Sequence, residues 1–203
     1  MSIRSLNVSR CPRICVALLF SMGLYVGLGL RAYGDEFDKK TIVTTNAPLE
    51  VPGKVLLPGT YVFKLVDSTG DRGIVQIFDK DEKQLLATIL SIPDYRLKPS
   101  DKPLIQFEER AAGAPPAIKA WFYPGDPYGL QFVYPHTRAV ELAKRTQQNV
   151  LSMSNSMSSN MNTSARSASD PSIREMENTQ VTGVDSSGEP VALVVIVATK
   201  PDK

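Results

Sequence analysis

Cysteine is nearly absent from this chain: its 203 residues hold two, Cys11 and Cys15. Both fall within the leader described below, so the rest of the protein has no thiol nucleophile and no disulfide. Histidine is scarcer still, with His136 alone. One histidine and no cysteine exclude the usual His/Cys zinc centres. A Ser-His-Asp hydrolase would have to use His136 as its base. That residue follows a proline at the head of a candidate helix, and no Gly-x-Ser-x-Gly elbow occurs anywhere, so it reads as a surface or capping residue. No aromatic residue follows Tyr134, and there is one tryptophan. Basic charge is also in short supply once the leader is set aside. Residues 1 to 34 carry Arg4, Arg10, Arg13 and Arg31 and no acidic residue. Removing them takes four from 23 basic residues, leaving 19 against 21 acidic ones, and the formal charge moves from +2 to −2. Too little remains to neutralise many phosphates, which excludes nucleic acid as a partner.

The leader is the first positive signal. Three arginines precede an apolar run from Ile14 to Leu30, and Ala32 and Gly34 are small residues three and one positions before Asp35. This is the order of a secretory signal peptide, with cleavage expected between Gly34 and Asp35. The alternative is an uncleaved anchor, since the run exceeds the ~7–15 residues usual for a signal. Membrane contact is expected only through that anchor. In both cases the remainder faces away from the cytoplasm. Cys15 precedes most of the apolar run and is therefore not a lipid attachment site. The protein is expected to be secreted, or periplasmic in the cell envelope.

Residues 35–151 read as the folded domain. "TYVFKLV" (60–66) alternates, with Tyr61, Phe63 and Leu65 on one face and Val62, Lys64 and Val66 on the other. "IVQIF" (74–78), "QLLATILSI" (84–92), "LIQFE" (104–108), "AIKAWFY" (117–123) and "LQFVY" (130–134) are also of strand length and composition. Pro52-Gly53, Pro58-Gly59 and Pro124-Gly125 suit type II turns, and "DSTGDRG" (67–73) and "DKDEK" (79–83) suit hairpin loops. Strands at this spacing predict an all-β, antiparallel β-sandwich or partly open barrel. The connections are too short for the crossovers of a parallel sheet. One helix is expected over 136–151, capped by Thr137 and docked by Val140, Leu142 and Ala143, with Glu141 reaching Arg145. Residues 152–190, rich in Ser, Asn and Met, are expected to be disordered because they offer little apolar area against their chain entropy. The apolar run "VALVVIVAT" (191–199) in the last segment, 191–203, is too short to span a bilayer as a helix and reads as an edge strand or a sticky tail.

Several residues could carry chemistry. Asp79 and Asp81 have calcium-loop spacing, but Lys83 stands at the next ligand position and the Gly and distal Glu are missing. The alternative is a hairpin tip in which Asp79 accepts backbone hydrogen bonds. Neither a metal nor any other cofactor is implied. Glu108 and Glu109 are strand neighbours and face opposite sides, while Asp94, Asp126 and Glu50 would need the fold to bring them together for glycosidase chemistry. The densest feature is "AWFYPGDPYGLQFVYP" (120–135). Alternation places Ile118, Ala120 and Phe122 on one face and Lys119, Trp121 and Tyr123 on the other, and puts Phe122 and Phe132 in the core. Trp121, Tyr123 and Tyr128 then either cover a helix or outer sheet, or form a platform for a sugar or extended peptide. Aromatic pairs across strands stabilise a hairpin by about 0.2–1 kcal/mol, enough to account for them without a ligand.

"VPGKVLLPGTYVFKL" (51–65) and "KAWFYPGDPYGLQFVYP" (119–135), followed by "RAVELAK", resemble the conserved blocks of a family of uncharacterised secreted bacterial β-rich proteins. The resemblance covers residues 40 to 151 and implies a signal peptide, a β-rich domain and a variable tail, without implying an activity. "LPGTYVFKL" is also similar to the Gly-Thr-Tyr strand entry of exported β-sandwich modules, a likeness of fold alone. The Ser/Met/Asn-rich tail departs from the family pattern. The chain is thus expected to be an exported, non-catalytic binding or structural module whose partner is an envelope component or a glycan. A carbohydrate-binding module with an aromatic platform is the second reading and a carboxylate-based hydrolase the third.

Overall fold

The computed structural model describes residues 31–35, 39–66, 72–108, 114–162, 164–167 and 169–193. Most of the expected leader, part of the 67–73 loop, Glu109 and the run from 194 onward lie outside the described residues.

The chain is mostly β. Strands β1 (Arg31–Asp35), β2 (Lys40–Thr45), β3 (Leu49–Val51), β4 (Lys54–Leu56), β5 (Gly59–Val66), β6 (Gly73–Asp79), β7 (Leu85–Tyr95), β8 (Leu104–Glu108), β9 (Ala117–Phe122) and β10 (Tyr128–Phe132) build one ten-stranded sheet. Its order is β1-β2-β5-β6-β7-β10-β9-β3-β4, with β8 on the opposite side of β9. All the pairs are antiparallel except β3 with β9, which meet in parallel at Glu50 and Ala117. Two of the three Pro-Gly pairs turn as expected: Gly53 and Gly125 have φ of 85° and 72°. The third does not, because Gly59 already begins β5 opposite Thr45. At the 79–83 hairpin tip, Asp79 accepts from the backbone N–H groups of Lys83 and Gln84 at 2.7 and 2.9 Å.

Alternation decides what faces inward. Tyr61, Phe63 and Leu65 of β5 point into the main core, together with Val43, Val75, Ile77, Ala87, Ile89 and Phe132. The other face of β6 and β7 would be wet in a half-covered sheet. Here Ile74 and Leu90 are buried under the C-terminal region instead, so β6 is buried on both faces from Gly73 to Phe78, Gln76 included.

That C-terminal region is the main departure from the sequence reading. Residues 152–190 were expected to be disordered, but their described part takes up strands and helices. β11 (Tyr134–Pro135), β12 (Val150–Met153), β13 (Val181–Val184) and β14 (Pro190–Val191) form a second sheet. A 3-10 segment (Asn155–Asn162) and helix α2 (Pro171–Asn178) lie between them. Methionine supplies what aromatics do not. Met153, Met161 and Met176 pack with Ile173, Leu151 and Val133 against Ile74 and Leu90, and Met157 joins at the margin. Unbranched thioethers fill irregular gaps well. Polar ties add to this: Gln76 donates to the Ala165 carbonyl at 2.7 Å, and the Arg166 guanidinium lies 5.4 Å from the centre of the Phe78 ring. α2 starts on Asp170, which accepts from the Ser172 N–H at 2.9 Å, with Pro171 in the first turn.

Helix α1 (His136–Thr146) is shorter than the expected 136–151. Gln147 takes the left-handed conformation and donates its N–H to the Ala143 carbonyl, closing the helix. The chain then enters β12, parallel to β11, so β11, α1 and β12 make one small crossover that the expectation of antiparallel pairing missed. Thr137 does not cap the helix with its own side chain. Asn155 does so from the 3-10 segment, accepting from the Thr137 N–H at 3.0 Å and donating to its hydroxyl at 2.8 Å. Ala139, Leu142 and Ala143 are buried against Ala117, Tyr134, Val150 and Val184, with Val140 at the margin. Glu141 pairs with Arg138 in the preceding turn.

Candidate functional site

The rings of "AWFYPGDPYG" occupy both faces of β9, in an arrangement that simple alternation misassigns. β8 and β9 slip relative to one another: Gln106 lies opposite Ala120, but Phe107 lies opposite Ile118. Lys119 is the extra residue of a β-bulge, and every side chain after it changes face. Trp121 and Tyr123 therefore join Ile118 in the main core, where a bulge-free strand would place them opposite it. Trp121 is fully buried. Its indole N–H donates to the Thr41 hydroxyl at 3.1 Å, and its ring meets Phe63 edge-on with centroids 5.9 Å apart. Tyr123 stacks 4.6 Å from Trp121 and donates its hydroxyl to the Lys39 carbonyl; burial raises its pKa. Phe122 faces the other way, buried beneath the Arg96 guanidinium 5.1 Å from its ring and pressed against Gly129. A Cβ at Gly129 would fall 2.3 Å from the Phe122 ring, so only glycine fits there.

Of the three rings for which a platform was one of two alternatives, Tyr128 alone remains at the surface, 39% exposed. Trp121 and Tyr123 belong to the interior and do not share a wet face with it. The partner of Tyr128 is Tyr95, opposite it in the β7–β10 ladder. Their rings stand 5.5 Å apart at a tilt of 59°, and Tyr95 is 50% exposed. Each N–H is held by a nearby aspartate, Asp94 for Tyr95 at 2.7 Å and Asp126 for Tyr128 at 2.8 Å. Tyr95 was not legible as part of the site because Pro93 reads as the end of a strand. β7 continues through it. Its pairing with β6 ends at Ser91, so from Ile92 onward β7 needs no donor on that side.

Of the carboxylates considered for acid–base work, Asp94 and Asp126 both stand at the Tyr95–Tyr128 rung, each accepting from a backbone N–H, and Glu50 lies away from them. Asp94 lies opposite Gly129, which lies opposite Phe122 at one end of β9, whereas Glu50 lies beside Ala117 at the other end. Glu50 is bound through both oxygens by Arg138, at 2.5 and 2.7 Å, and the guanidinium pKa is raised chiefly by that hydrogen bonding. The topology does bring one pair to a single rung. Glu50 and Glu108 flank Ala117 from either side, two strand spacings or about 10 Å apart. The space above Ala117 is filled by Ala139, Leu142 and Ala143 of α1, which leaves no room for a substrate between them. Glu108 has 2% of its side chain exposed, and among the described residues the cation beside it is Lys119 at 3.9 Å. Among the described residues its Oε2 finds no hydrogen-bond donor, so the contact with Lys119 is an ion pair by distance alone. Burial raises the Glu108 pKa, with Lys119 pulling the other way. His136 Nδ1 lies 3.0 Å from the Ser152 hydroxyl, but Ser152 is buried within β12 between Tyr134 and Thr182, where no acyl group could reach it.

Among the described residues no cluster of three or more His, Cys, Asp or Glu is placed to hold a metal, and no helix is long and apolar enough to cross a membrane. No family model, curated protein or solved structure matches the chain.

Proposed function

We propose that the chain is an exported, non-catalytic module of the cell envelope, a structural or binding domain built around the Trp121 core and belonging to the secreted β-rich family that its two sequence blocks resemble. The observation that carries this reading is where the aromatics go. Trp121, Tyr123, Phe63 and Phe132 are committed to the interior, and the conspicuous ring-rich stretch thus has a structural use that requires no ligand. In finer detail the large sheet is a partly open barrel. What supports this is contact between strands far apart in its order: Trp121 of β9 reaches Thr41 of β2, and Lys54 of β4 donates to the Leu86 carbonyl of β7 at 2.8 Å.

The second reading, carbohydrate binding, is favoured by the exposed Tyr95–Tyr128 pair. A sugar ring lying on these tyrosines would engage flat apolar area with polar tips. Expression with the native leader, followed by fractionation of the host, tests export: the protein is expected outside the cytoplasm, and cytoplasmic retention of the intact chain would overturn the proposal. Co-sedimentation with peptidoglycan and insoluble polysaccharides then separates the two readings. A structural module stays in the supernatant. A sugar binder pellets and loses binding in Tyr95→Ala and Tyr128→Ala.

A further inference from the structure

β1 lies antiparallel on β2, with Gly34 opposite Thr41 and Asp35 opposite Lys40. The bond expected to be cut on export, Gly34–Asp35, is therefore inside this ladder. Removal of the leader and retention of β1 exclude one another, since cleavage leaves β1 with Asp35 alone. In the processed chain β2 becomes the outermost strand of the large sheet.

The chemistry of that edge follows from its pairing with β5. Leu65 donates its N–H to the Lys39 carbonyl at 3.2 Å. Antiparallel alternation then turns the N–H and C=O groups of residues 39, 41, 43 and 45 toward β5, and those of Lys40, Ile42 and Thr44 toward the β1 side. Thr41, Val43 and Thr45 point their side chains into the protein, and Ile42 is exposed. The devices that commonly protect an edge are missing: β2 has no proline and no bulge against β5, and its one charged residue, Lys40, is tied to Glu82.

We propose, resting on the export reading, that the β2 edge freed by leader removal pairs with the same edge of a second copy, antiparallel and centred on Ile42. An antiparallel strand is what this edge already accepts, and the self-pairing uses residues 40 to 44, the five that β1 occupies. Ile42 faces Ile42, Thr41 faces Val43 and Lys40 faces Thr44. Inward residues meet inward residues, which a register centred between Ile42 and Val43 would not allow. The two Lys40 side chains lie at opposite ends, whereas parallel pairing would set them side by side. The exposed Ile42 gains an apolar neighbour across the two-fold axis.

The mature chain has no cysteine, so one introduced thiol reports the register. Processed protein is purified from the host envelope, its N-terminus read by mass spectrometry and its mass measured by sedimentation. A chain beginning at Asp35 is expected to be a dimer. Ile42→Pro, which removes an outward N–H and none that serves β5, is expected to halve the mass. Ile42→Cys is expected to form a covalent dimer on mild oxidation, since directly opposed hydrogen-bonded residues lie about 5.5 Å apart, within disulfide reach. Val43→Cys, facing inward, is expected not to cross-link. A chain beginning at Asp35 that stays monomeric, or whose Ile42→Cys form does not cross-link, overturns the pairing and leaves export standing. A purified chain that retains residues 31–34 overturns both cleavage at Gly34 and the pairing.

Discussion

Trp121 and Thr41 join two strands that lie far apart in the sheet order, through an indole N–H that donates to a buried hydroxyl at 3.1 Å. Both residues are fully enclosed, so neither group has water to fall back on. Trp121→Ala is expected to cost about 3–5 kcal/mol, the usual range for emptying a large aromatic site. Thr41→Val keeps the shape but strands the indole N–H, and is expected to cost about 1–3 kcal/mol. Urea unfolding followed by tryptophan fluorescence measures the second directly, and circular dichroism the first. A Trp121→Ala variant as stable as the parent would place that ring at the surface and reopen the platform reading.

Glu108 sets a pH dependence whose sign can be worked out. Burial raises its pKa in the folded state above the ordinary carboxylate value of 4.5. The folded protein therefore holds this proton more tightly than the unfolded chain, and stability falls as pH rises through the interval from 4.5 up to the raised value. Glu108→Gln removes the charge while keeping the shape. It is expected to be close to neutral at pH ~4 and stabilising at pH ~7–8, with the gain emerging across that interval. Lys119→Met removes the cation 3.9 Å from Glu108 and is expected to destabilise at neutral pH, an effect lost in the Glu108→Gln background. Melting temperatures of the four proteins at acid and neutral pH make the test. A Glu108→Gln variant that loses stability at neutral pH would mean that the carboxylate is held by a partner it needs.

How much of this was legible in the sequence depends on which force decided each element. The strands from Gly59 to Phe132 follow from alternation and Pro-Gly punctuation, because local chemistry decides them. β8 has the bounds the sequence suggested, and Tyr61, Phe63 and Leu65 share the face expected of them. The exposure of Trp121 was not legible, because a single extra residue, Lys119, reverses the face of all that follow, and neither strand alone records the slip. The C-terminal region was misread for a different reason. Its composition resembles that of disordered chains, but its few apolar residues meet a surface already built by β6 and β7. Burial is decided by the partner as well as by the segment. Tyr95 was missed because Pro93 signals a break only where a ladder needs its N–H.

The methionines of that region carry the last test. Met161 is fully buried and lies against the β3–β4 turn, where a Cβ on Gly53 would sit 3.1 Å from its sulfur. Met161→Ala is expected to cost about 2–5 kcal/mol. Gly53→Ala is expected to be unfavourable twice over, since Gly53 also holds a positive φ of 85°, which L side chains adopt at a cost. A second contact probes the same docking from the helix side. Asn155→Ala removes the cap on α1 and is expected to cost about 0.5–2 kcal/mol. If residues 155–162 were loose, both Met161→Ala and Asn155→Ala would leave the urea midpoint where it stands. Amide exchange separates the cases independently of mutation: the N–H of Thr137 is protected only while Asn155 caps it, and Asn155→Ala should expose it with little change in the core strands.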